Sequence, residues 1–238
     1  MPKKLYDSLL EIPGMGSTLA KKLVDAGLKS IRQLKSSKYY DMLPNEVKLS
    51  VKYDLSRKRD KPWDLMNSLV HNLPKKLVPV GSFRRKKPLL KDLDLITLED
   101  LSKMHKNIVA LSKKDVGDPS SDFARDQPYE VLESYSVGSK KYSFVIKFKG
   151  KYIRVDLFRI NDRDEMPFAL LHYTGDQGFN IKLRMHAKRQ GYKLNQYGLF
   201  DKDNNKVNIP LPKSGRLTEK KIMQFLNFKY EPPENRNN

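Results

Sequence analysis

Five short runs rich in β-branched and aromatic residues, separated by turn residues, lie between residues 77 and 158 and limit the fold more than any other pattern. Runs of this kind are typical of β-strands. We expect them to form one sheet, with a helix at about residues 102–114 between the second and third strands and a loop at residues 115–128. The runs are LVPVGSF (77–83), DLDLITL (92–98), EVLESYSVG (130–138), YSFVIKF (142–148) and KYIRVDLF (151–158).

Helical patterns flank the predicted sheet on both sides. Residues 1–60 are predicted to be helical, with Ser17 capping a helix that Gly27 ends and Pro44 opening a longer one. A basic run at residues 57–59 is interpreted as a joint, and another helix is expected at about residues 63–72. Helices return at about residues 165–173 and 179–190, followed by turn-rich strands, a short helix near residues 218–226 and a frayed tail at residues 231–238. This order predicts an α+β chain with a helical module (1–60), a sheet-bearing domain (61–163) and a mixed α/β module (164–238).

The charge of the chain indicates a polyanionic partner. Its 238 residues carry 47 Lys and Arg against 28 Asp and Glu, a formal net charge of +19, and the sequence pI is about 9.8. A field of this sign favours nucleic acid first and anionic lipid second, the plain alternative being a basic protein with no such partner. Charge predicts affinity and salt sensitivity and does not predict chemistry.

Several classes are excluded by what the sequence lacks. The longest stretches without a formal charge, such as residues 65–74, are much shorter than the roughly 20 apolar residues of a membrane-spanning helix. No apolar run with a cleavage site follows the basic N-terminus, so a secretory signal is not expected. The absence of cysteine removes disulfides, thiolate metal sites and cysteine nucleophiles, and four scattered histidines make a histidine metal cage improbable.

The segment LLEIPGMGSTLAKKLVDAG predicts two helices joined by a glycine turn. Gly14 and Gly16 allow backbone amides to point outward at the start of the second helix, and Lys21 and Lys22 add positive charge behind them. The arrangement suits a phosphate group, although an ordinary helical hairpin with a glycine turn has the same pattern. The net charge favours the phosphate interpretation.

Three carboxylates can converge on the predicted sheet. Strand periodicity puts Asp92 and Asp94 on one face of their strand, and Asp156 with Arg154 on one face of theirs. If the two strands are neighbours, the carboxylates repel one another unless a hard cation lies between them. Oxygen ligands without thiolate or imidazole select Mg²⁺ or Mn²⁺. A pair of such ions about 4 Å apart would clamp the entering and leaving oxygens of a phosphoryl transfer.

A lone D-x-D is common on protein surfaces, so its surroundings decide the interpretation. Gly81 and Ser82 lie about ten residues upstream, where a turn offers a backbone amide and a hydroxyl to a phosphate. Four basic residues follow directly and supply charge for a triphosphate, namely Arg84, Arg85, Lys86 and Lys87. The combination of Gly-Ser, D-x-D and a later strand aspartate is specific.

In these motifs the sequence resembles the family X DNA polymerases, the group that includes DNA polymerase beta and terminal transferase. GSFRR, DLDLIT, RVDLF, YTG, FNIKLR and NQYGLF occur in the family's order and approximate spacing, and the resemblance runs from about residue 9 to the KYEPP segment. It implies a helix-hairpin-helix module, a nucleotidyltransferase-type palm with a mixed β-sheet, and a C-terminal α/β module that binds nucleotide and template.

The resemblance also implies roles for single residues. Asp92 and Asp94 would bind both of two Mg²⁺ or Mn²⁺ ions, and Asp156 would bind the catalytic one and help activate the primer 3′-hydroxyl. The incoming deoxynucleoside triphosphate would be held by Ser82 and Arg85 at its phosphates and by Tyr173, Thr174, Gly175 and Asn180 at its sugar and base. Arg154 would lie at the primer terminus of gapped or primed DNA, and Arg184 would contact the template strand. The N-terminal hairpin would hold the primer backbone, and in this family such hairpins often bind a monovalent cation.

The chain departs from the family pattern in three places. Lys91 stands where a glycine usually precedes the first catalytic aspartate, and it could replace a close backbone approach to phosphate with charge. His172 stands where polymerase beta-like members have tyrosine, which bears on sugar discrimination. A lyase domain with a Schiff-base lysine has no counterpart before the hairpin, so no lyase of the usual type is expected.

The predicted activity is addition of deoxynucleotides to a DNA 3′ end, with short-gap filling in repair inferred from the small size. Two alternatives stay open: a template-independent or ribonucleotide-using transferase, and a non-catalytic DNA-binding protein. We expect a monomer inside the cell, in the nucleus or cytoplasm or of viral origin, with no membrane partner.

Overall fold

The computed structural model describes residues 3–55, 60–113, 128–211 and 215–236. The predicted joint at residues 57–59 and nearly all of the predicted loop at residues 115–128 lie outside these ranges. The described residues form an α+β fold in which helices precede and follow a mixed five-stranded sheet. No helix in these ranges is both long enough and apolar enough to cross a membrane.

The N-terminal region is helical, as predicted, and its apolar faces enclose a cluster that includes Leu9, Leu23 and Val47. The prediction that Ser17 caps the second helix is wrong, because Gly16 takes the N-cap position and its carbonyl accepts the Ala20 amide at 3.0 Å. The elements are α1 (Lys3–Leu10), α2 (Ser17–Asp25), a 3₁₀ helix (Ile31–Lys35), α3 (Ser37–Tyr40) and α4 (Asn45–Lys52).

The described residues of the sheet region form seven strands, namely β1 (Lys61–Pro62), β2 (Val78–Pro79), β3 (Leu89–Leu90), β4 (Asp92–Thr97), β5 (Tyr129–Val137), β6 (Lys141–Phe148) and β7 (Lys151–Arg159). The central sheet has the order β2-β4-β7-β6-β5, with β4 and β7 parallel and the other neighbours antiparallel. A separate pair, β1 and β3, precedes β4 in the chain. The helices of this region are α5 (Trp63–His71), α6 (Gly81–Arg84) and α7 (Leu101–Ser112).

The first predicted strand is largely wrong. LVPVGSF contains only the two residues of β2, and a short helix, α6, begins at Gly81. Pro79 has no N–H for a continuing ladder, and Gly81 adopts φ +58°, outside the strand region. The chain therefore turns into α6 directly beside β4, with the Val80 amide donating to the Asp94 carbonyl at 2.9 Å.

The C-terminal region packs around a cluster that includes Phe179, Leu199 and Ile222. The tail expected to fray contains a 3₁₀ helix. Its last described residue, Arg236, is 1% exposed, and the guanidinium donates to Glu219 at 2.8 Å. The elements are α8 (Met166–Thr174), α9 (Gln177–Arg189), β8 (Lys193–Asn195), β9 (Gly198–Phe200), α10 (Glu219–Phe225) and a 3₁₀ helix (Pro233–Asn235).

Separate apolar clusters lie within the helical start, the sheet region and the C-terminal region. A smaller cluster of Val80, Ile96, Ile160 and Ala169 joins the sheet to α8. The module boundaries at residues 60 and 163 stay predictions, but the packing explains why α6, β4, β7 and α8 meet at one place.

Candidate active site

The register of β4 and β7 brings the predicted carboxylates together. Asp94 pairs with Asp156 and Asp92 with Arg154 across the parallel ladder. Side chains alternate along a strand, so these four lie on one face, while Leu93, Leu95, Val155 and Leu157 are fully buried on the other. The condition set by the sequence, that the two strands be neighbours, is met.

The three carboxylates lie in different electrostatic environments. Burial, and then the charges of Asp92 and Asp156, raise the pKa of Asp94 to about 7. Burial also raises the pKa of Asp92, although Lys91 opposes it from 3.4 Å. Burial acts in the same direction on Asp156, but the charge and hydrogen bonds of Arg154, together with Lys141 and Ser143, outweigh it and leave the pKa of Asp156 below its usual value. Asp156 therefore ionises most readily of the three, whereas Asp92 and Asp94 take up their negative charge less readily than a free aspartate does.

Asp156 is held by partners on its own strand and on β6. Arg154 donates to it from Nε at 3.2 Å and from Nη2 at 2.9 Å. Ser143, directly opposite on β6, donates its hydroxyl at 2.6 Å, and Lys141 Nζ lies 3.1 Å from Oδ2. Sequence reasoning missed Lys141 and Ser143. Strand alternation puts both on one face of β6, but their pairing with β7 is needed to see that this face meets Asp156.

The donor set suits a hard divalent cation. Three carboxylates close enough to shift one another's pKa provide the oxygen ligands that Mg²⁺ and Mn²⁺ prefer. Within the described ranges, no three acidic or histidine side chains stand in a preassembled metal-ligand group. Asp156 shows why, because its oxygens face Arg154, Lys141 and Ser143. A cation at Asp156 would have to exchange with these partners.

The Gly-Ser bend lies directly against the carboxylates. A Cβ at Gly81 would stand 2.2 Å from Asp94 Oδ2, so only glycine fits between α6 and β4. Ser82 is partly exposed in the first turn of α6. Arg85 is buried and donates to the Thr174 carbonyl, which ties α6 to the end of α8.

A buried ion network that the sequence did not reveal fastens the same helix to the C-terminal region. Arg84 donates to Thr174 Oγ1 at 2.6 Å and to both carboxylate oxygens of Glu219, at 3.0 and 2.5 Å. Arg236 binds Glu219 from the other side and lies over the Phe179 ring at 4.8 Å. Residues so far apart in sequence carry no local signal of this contact. The network holds α6, α8 and α10 together.

The turn after α8 positions the residues predicted to face a nucleotide. Tyr173 stacks on Phe158 with ring centroids 4.5 Å apart, and burial raises the pKa of its hydroxyl to about 12. Thr174 is fully buried. Gly175 has φ +66°, and a Cβ there would stand 3.3 Å from Arg85 Nη1. The YTG segment is thus packed closely against α6 and β7.

The two α9 residues that are predicted to contact nucleotide and template, Asn180 and Arg184, both form hydrogen bonds with His172. Its carbonyl accepts from Asn180 Nδ2 at 2.7 Å, and its Nδ1 lies 2.6 Å from Arg184 Nη2. Burial, reinforced by the Arg184 charge, lowers the pKa of His172 to about 4. The imidazole is therefore neutral at physiological pH, and Nδ1 accepts the hydrogen bond from Arg184.

The N-terminal hairpin faces the same cleft as the carboxylates. Gly14 has φ +84°, and with Lys91, Asp92 and Arg154 it lines an open cleft between α4 and the sheet. Gly16 leaves open space where a side chain would stand, and Lys21 and Lys22 are exposed at a second concavity that also includes Thr18. The Gly14 end of the hairpin turn and Asp92 thus border one cleft, whereas Lys21 and Lys22 lie at a separate concavity.

The comparisons with known proteins agree with this arrangement. Residues 169–237 match the family model described as DNA polymerase beta thumb. Repair DNA polymerase X of African swine fever virus (isolate Tick/South Africa/Pretoriuskop Pr4/1996) is 33% identical over 177 residues, which cover 73% of this chain and 88% of the viral protein. DNA polymerase lambda of Arabidopsis thaliana is 27% identical over 244 residues, 95% of this chain and 45% of the plant protein.

A shorter match covers 88 residues of DNA polymerase IV from Saccharomyces cerevisiae at 38% identity, which is 37% of this chain and 14% of the yeast protein. The viral relative is the informative one, since similarity at that level extends along nearly its whole length. Together with the thumb match, it settles what the motif order first indicated: the chain belongs to the family X DNA polymerases and is a DNA polymerase.

Proposed function

We propose that this polymerase fills short gaps during DNA repair, adding deoxynucleotides to a primer 3′ end with the help of two divalent cations at Asp92, Asp94 and Asp156. The observation that carries the proposal is the β4–β7 register, which gathers the carboxylates on one face beside the Gly-Ser bend. The names of the viral relatives, repair DNA polymerase X, support the repair context.

Each carboxylate has its own task in this proposal. Bound Mg²⁺ or Mn²⁺ supplies charge stabilisation to the phosphoryl group and lowers the pKa of the primer hydroxyl. Asp92 and Asp94 would bind both ions, because cations would offset the burial and the mutual repulsion that raise the pKa of Asp94. Asp156 binds the catalytic ion and lies next to the path of the primer terminus, with Arg154 beside it. The protein contributes positioning and electrostatics.

The nucleotide is proposed to bind between α6 and the α8–α9 turn. Gly81, Ser82 and Arg85 would hold its phosphates, with Lys91 adding charge near Asp92. Tyr173, Thr174 and Gly175 would pack against the sugar. Asn180 and Arg184, which His172 orients, would face the base and the template. Thr174 and Gly175 already contact Arg84 or Arg85, which supports one continuous nucleotide site.

DNA is proposed to run along the cleft bordered by the hairpin turn and the carboxylate face. Gly14 and Gly16 would present backbone amides to the primer phosphates, with a monovalent cation where the turn carbonyls allow it, and Lys21 and Lys22 would add attraction. The net charge of +19 supports tight, salt-sensitive binding. We expect the protein to act as a monomer.

Single-turnover assays on DNA with a one-nucleotide gap test the proposal. We expect Mg²⁺-dependent insertion of the complementary deoxynucleotide, little insertion when the template strand is omitted, and weak activity with ribonucleotides. Equal rates with and without template would establish the template-independent alternative. DNA binding in EDTA with no incorporation under any condition would establish the non-catalytic one.

Replacing Gly81 with alanine should lower the insertion rate by about 100-fold, because the new methyl group displaces the Asp94 carboxylate by an ångström or more. Gly150→Ala is a matched control, since Gly150 also has positive φ, +73°, but has open space around it. Both variants carry the backbone strain of an alanine at positive φ, and only Gly81→Ala adds the clash with Asp94. A Gly81→Ala rate equal to that of Gly150→Ala would show that the contact with Asp94 is irrelevant to catalysis.

A further inference from the structure

Glu46 connects the N-terminal region to the carboxylate face. It belongs to α4, and its Oε1 accepts from Arg154 Nη1 at 3.0 Å across the cleft. The remaining nitrogens of the same guanidinium, Nε and Nη2, bind the two oxygens of Asp156. One arginine is therefore shared between a carboxylate of the proposed catalytic set and a carboxylate from a different part of the fold.

We propose that Glu46 is a positioning residue that sets how strongly Arg154 competes with a divalent cation for Asp156. The proposal rests on the metal-binding role of Asp156 proposed above. Arg154 presents its charge directly to Asp156 Oδ1 and Oδ2, so a cation that binds these oxygens must displace or reorient the guanidinium. Glu46 neutralises part of that charge and holds Nη1, which weakens the hold of Arg154 on Asp156.

The surroundings of the pair strengthen its effect. The side chain of Asp156 is 7% exposed and that of Arg154 is 16% exposed, so solvent screens their interaction poorly. The Glu46 side chain, at 43%, is more open to solvent but has a restricted position. A Cβ at Gly14 would stand 2.9 Å from Glu46 Cγ, so the backbone of the hairpin turn lies directly against Glu46. The residue thus links the proposed DNA-binding turn to the metal face.

A second contact between the same two regions provides a matched control. Glu133 on β5 accepts a hydrogen bond from the hydroxyl of Tyr53, the residue after α4, at 2.7 Å. It also forms an ion pair with Lys52, the last residue of α4. Its side chain is 40% exposed, close to the value for Glu46. Glu133→Gln removes the same formal charge and also weakens a contact between the α4 region and the sheet, but the contacts it changes are with Tyr53 and Lys52 and not with Arg154.

The test measures cation binding apart from catalysis. Mn²⁺ is titrated into the full chain without DNA and the free ion is counted by electron paramagnetic resonance, and the Mg²⁺ concentration for half-maximal insertion is measured on gapped DNA. Glu46→Gln should weaken Mn²⁺ binding and raise the Mg²⁺ requirement by about three- to tenfold, the range for loss of one hydrogen bond of ordinary strength, since Glu46 is partly exposed. Glu46→Lys should shift both further in the same direction, and Glu133→Gln should leave both near wild type.

The outcomes separate this inference from the site assignment. If Asp156→Asn extends primers at the wild-type rate, the proposed metal site itself is wrong. If Asp156→Asn is inactive while Glu46→Gln and Glu133→Gln give the same Mn²⁺ and Mg²⁺ curves, only the role of Glu46 is wrong. A fall in insertion rate for Glu46→Gln with unchanged Mn²⁺ binding would likewise overturn it and assign Glu46 to docking of α4.

Discussion

Replacing Asp94 with asparagine should lower the rate of nucleotide insertion by about 1,000-fold or more, because a lost metal ligand removes several kcal/mol of transition-state stabilisation. Asp94 lies between the Gly81 bend and Asp156, so in the proposed site its carboxylate would be a ligand to both cations. The amide keeps the shape of the side chain but removes its charge. Rates come from single-turnover insertion on gapped DNA in saturating Mg²⁺.

Binding of gapped DNA should survive this substitution, since the hairpin and the basic surface remain. The control is Asp54→Asn, which removes the same charge from an exposed pair with Lys35 and should insert at the wild-type rate. An Asp94→Asn rate within tenfold of wild type would remove Asp94 from the metal site. Loss of DNA binding in parallel with the rate would point to a folding defect.

Asp94→Asn, which should lower the insertion rate, should raise the thermal stability of the metal-free protein at alkaline pH. The pKa of Asp94 in the folded chain, about 7, lies above its ordinary value of 3.8. Such a group stabilises the fold below pH 3.8 and loses that contribution as pH rises through 7, because the folded state must then carry the buried charge. In EDTA at pH 8, Asp94→Asn should therefore unfold at a higher temperature than wild type, and the difference should shrink towards pH 4. Thermal unfolding across this pH range measures it.

The site could be predicted from the sequence as far as local periodicity reaches. Alternation along single strands put Asp92 with Asp94, and Arg154 with Asp156, on common faces, and the structure has these faces. Periodicity does not predict which strands become neighbours, because β4 and β7 pair across more than fifty intervening residues that include α7, β5 and β6. Motif order supplied that information through the family resemblance.

What sequence reasoning missed depends on tertiary contact. Lys141 and Ser143 meet Asp156 only because β6 lies beside β7, and Glu46 meets Arg154 only because α4 packs beside the sheet. The tail after residue 231 was predicted to fray from its proline and polar composition. Composition cannot show that Arg236 has a buried carboxylate to bind, or that its guanidinium also reaches the Glu231 carbonyl and the Phe179 ring.

Replacing Glu219 with alanine should destabilise the fold by about 3–5 kcal/mol, because it leaves two buried or partly buried arginines without their counter-charge. The Arg236 side chain is fully buried and that of Arg84 is 25% exposed. Arg236 Nη2 already lacks a hydrogen-bond partner in the described structure, so little remains to compensate the loss. Urea unfolding followed by circular dichroism measures the change. Glu99→Ala, which breaks an exposed pair with Lys76, should change the stability far less.

The ion network of Arg84, Glu219 and Arg236 lies beside the proposed nucleotide site, so loss of Glu219 should also weaken nucleotide binding. Arg84 is next to Arg85 on the helix that carries Ser82, and both arginines bind Thr174. Without Glu219, the phosphate side and the sugar side of the proposed nucleotide site lose a shared support, so KM for the nucleotide should rise in Glu219→Ala protein that is still folded at low temperature. Glu219→Gln keeps hydrogen bonds to both arginines and should fall between wild type and alanine in both measurements. Equal stability of Glu219→Ala and Glu99→Ala would show that the three side chains contribute no more than a surface pair.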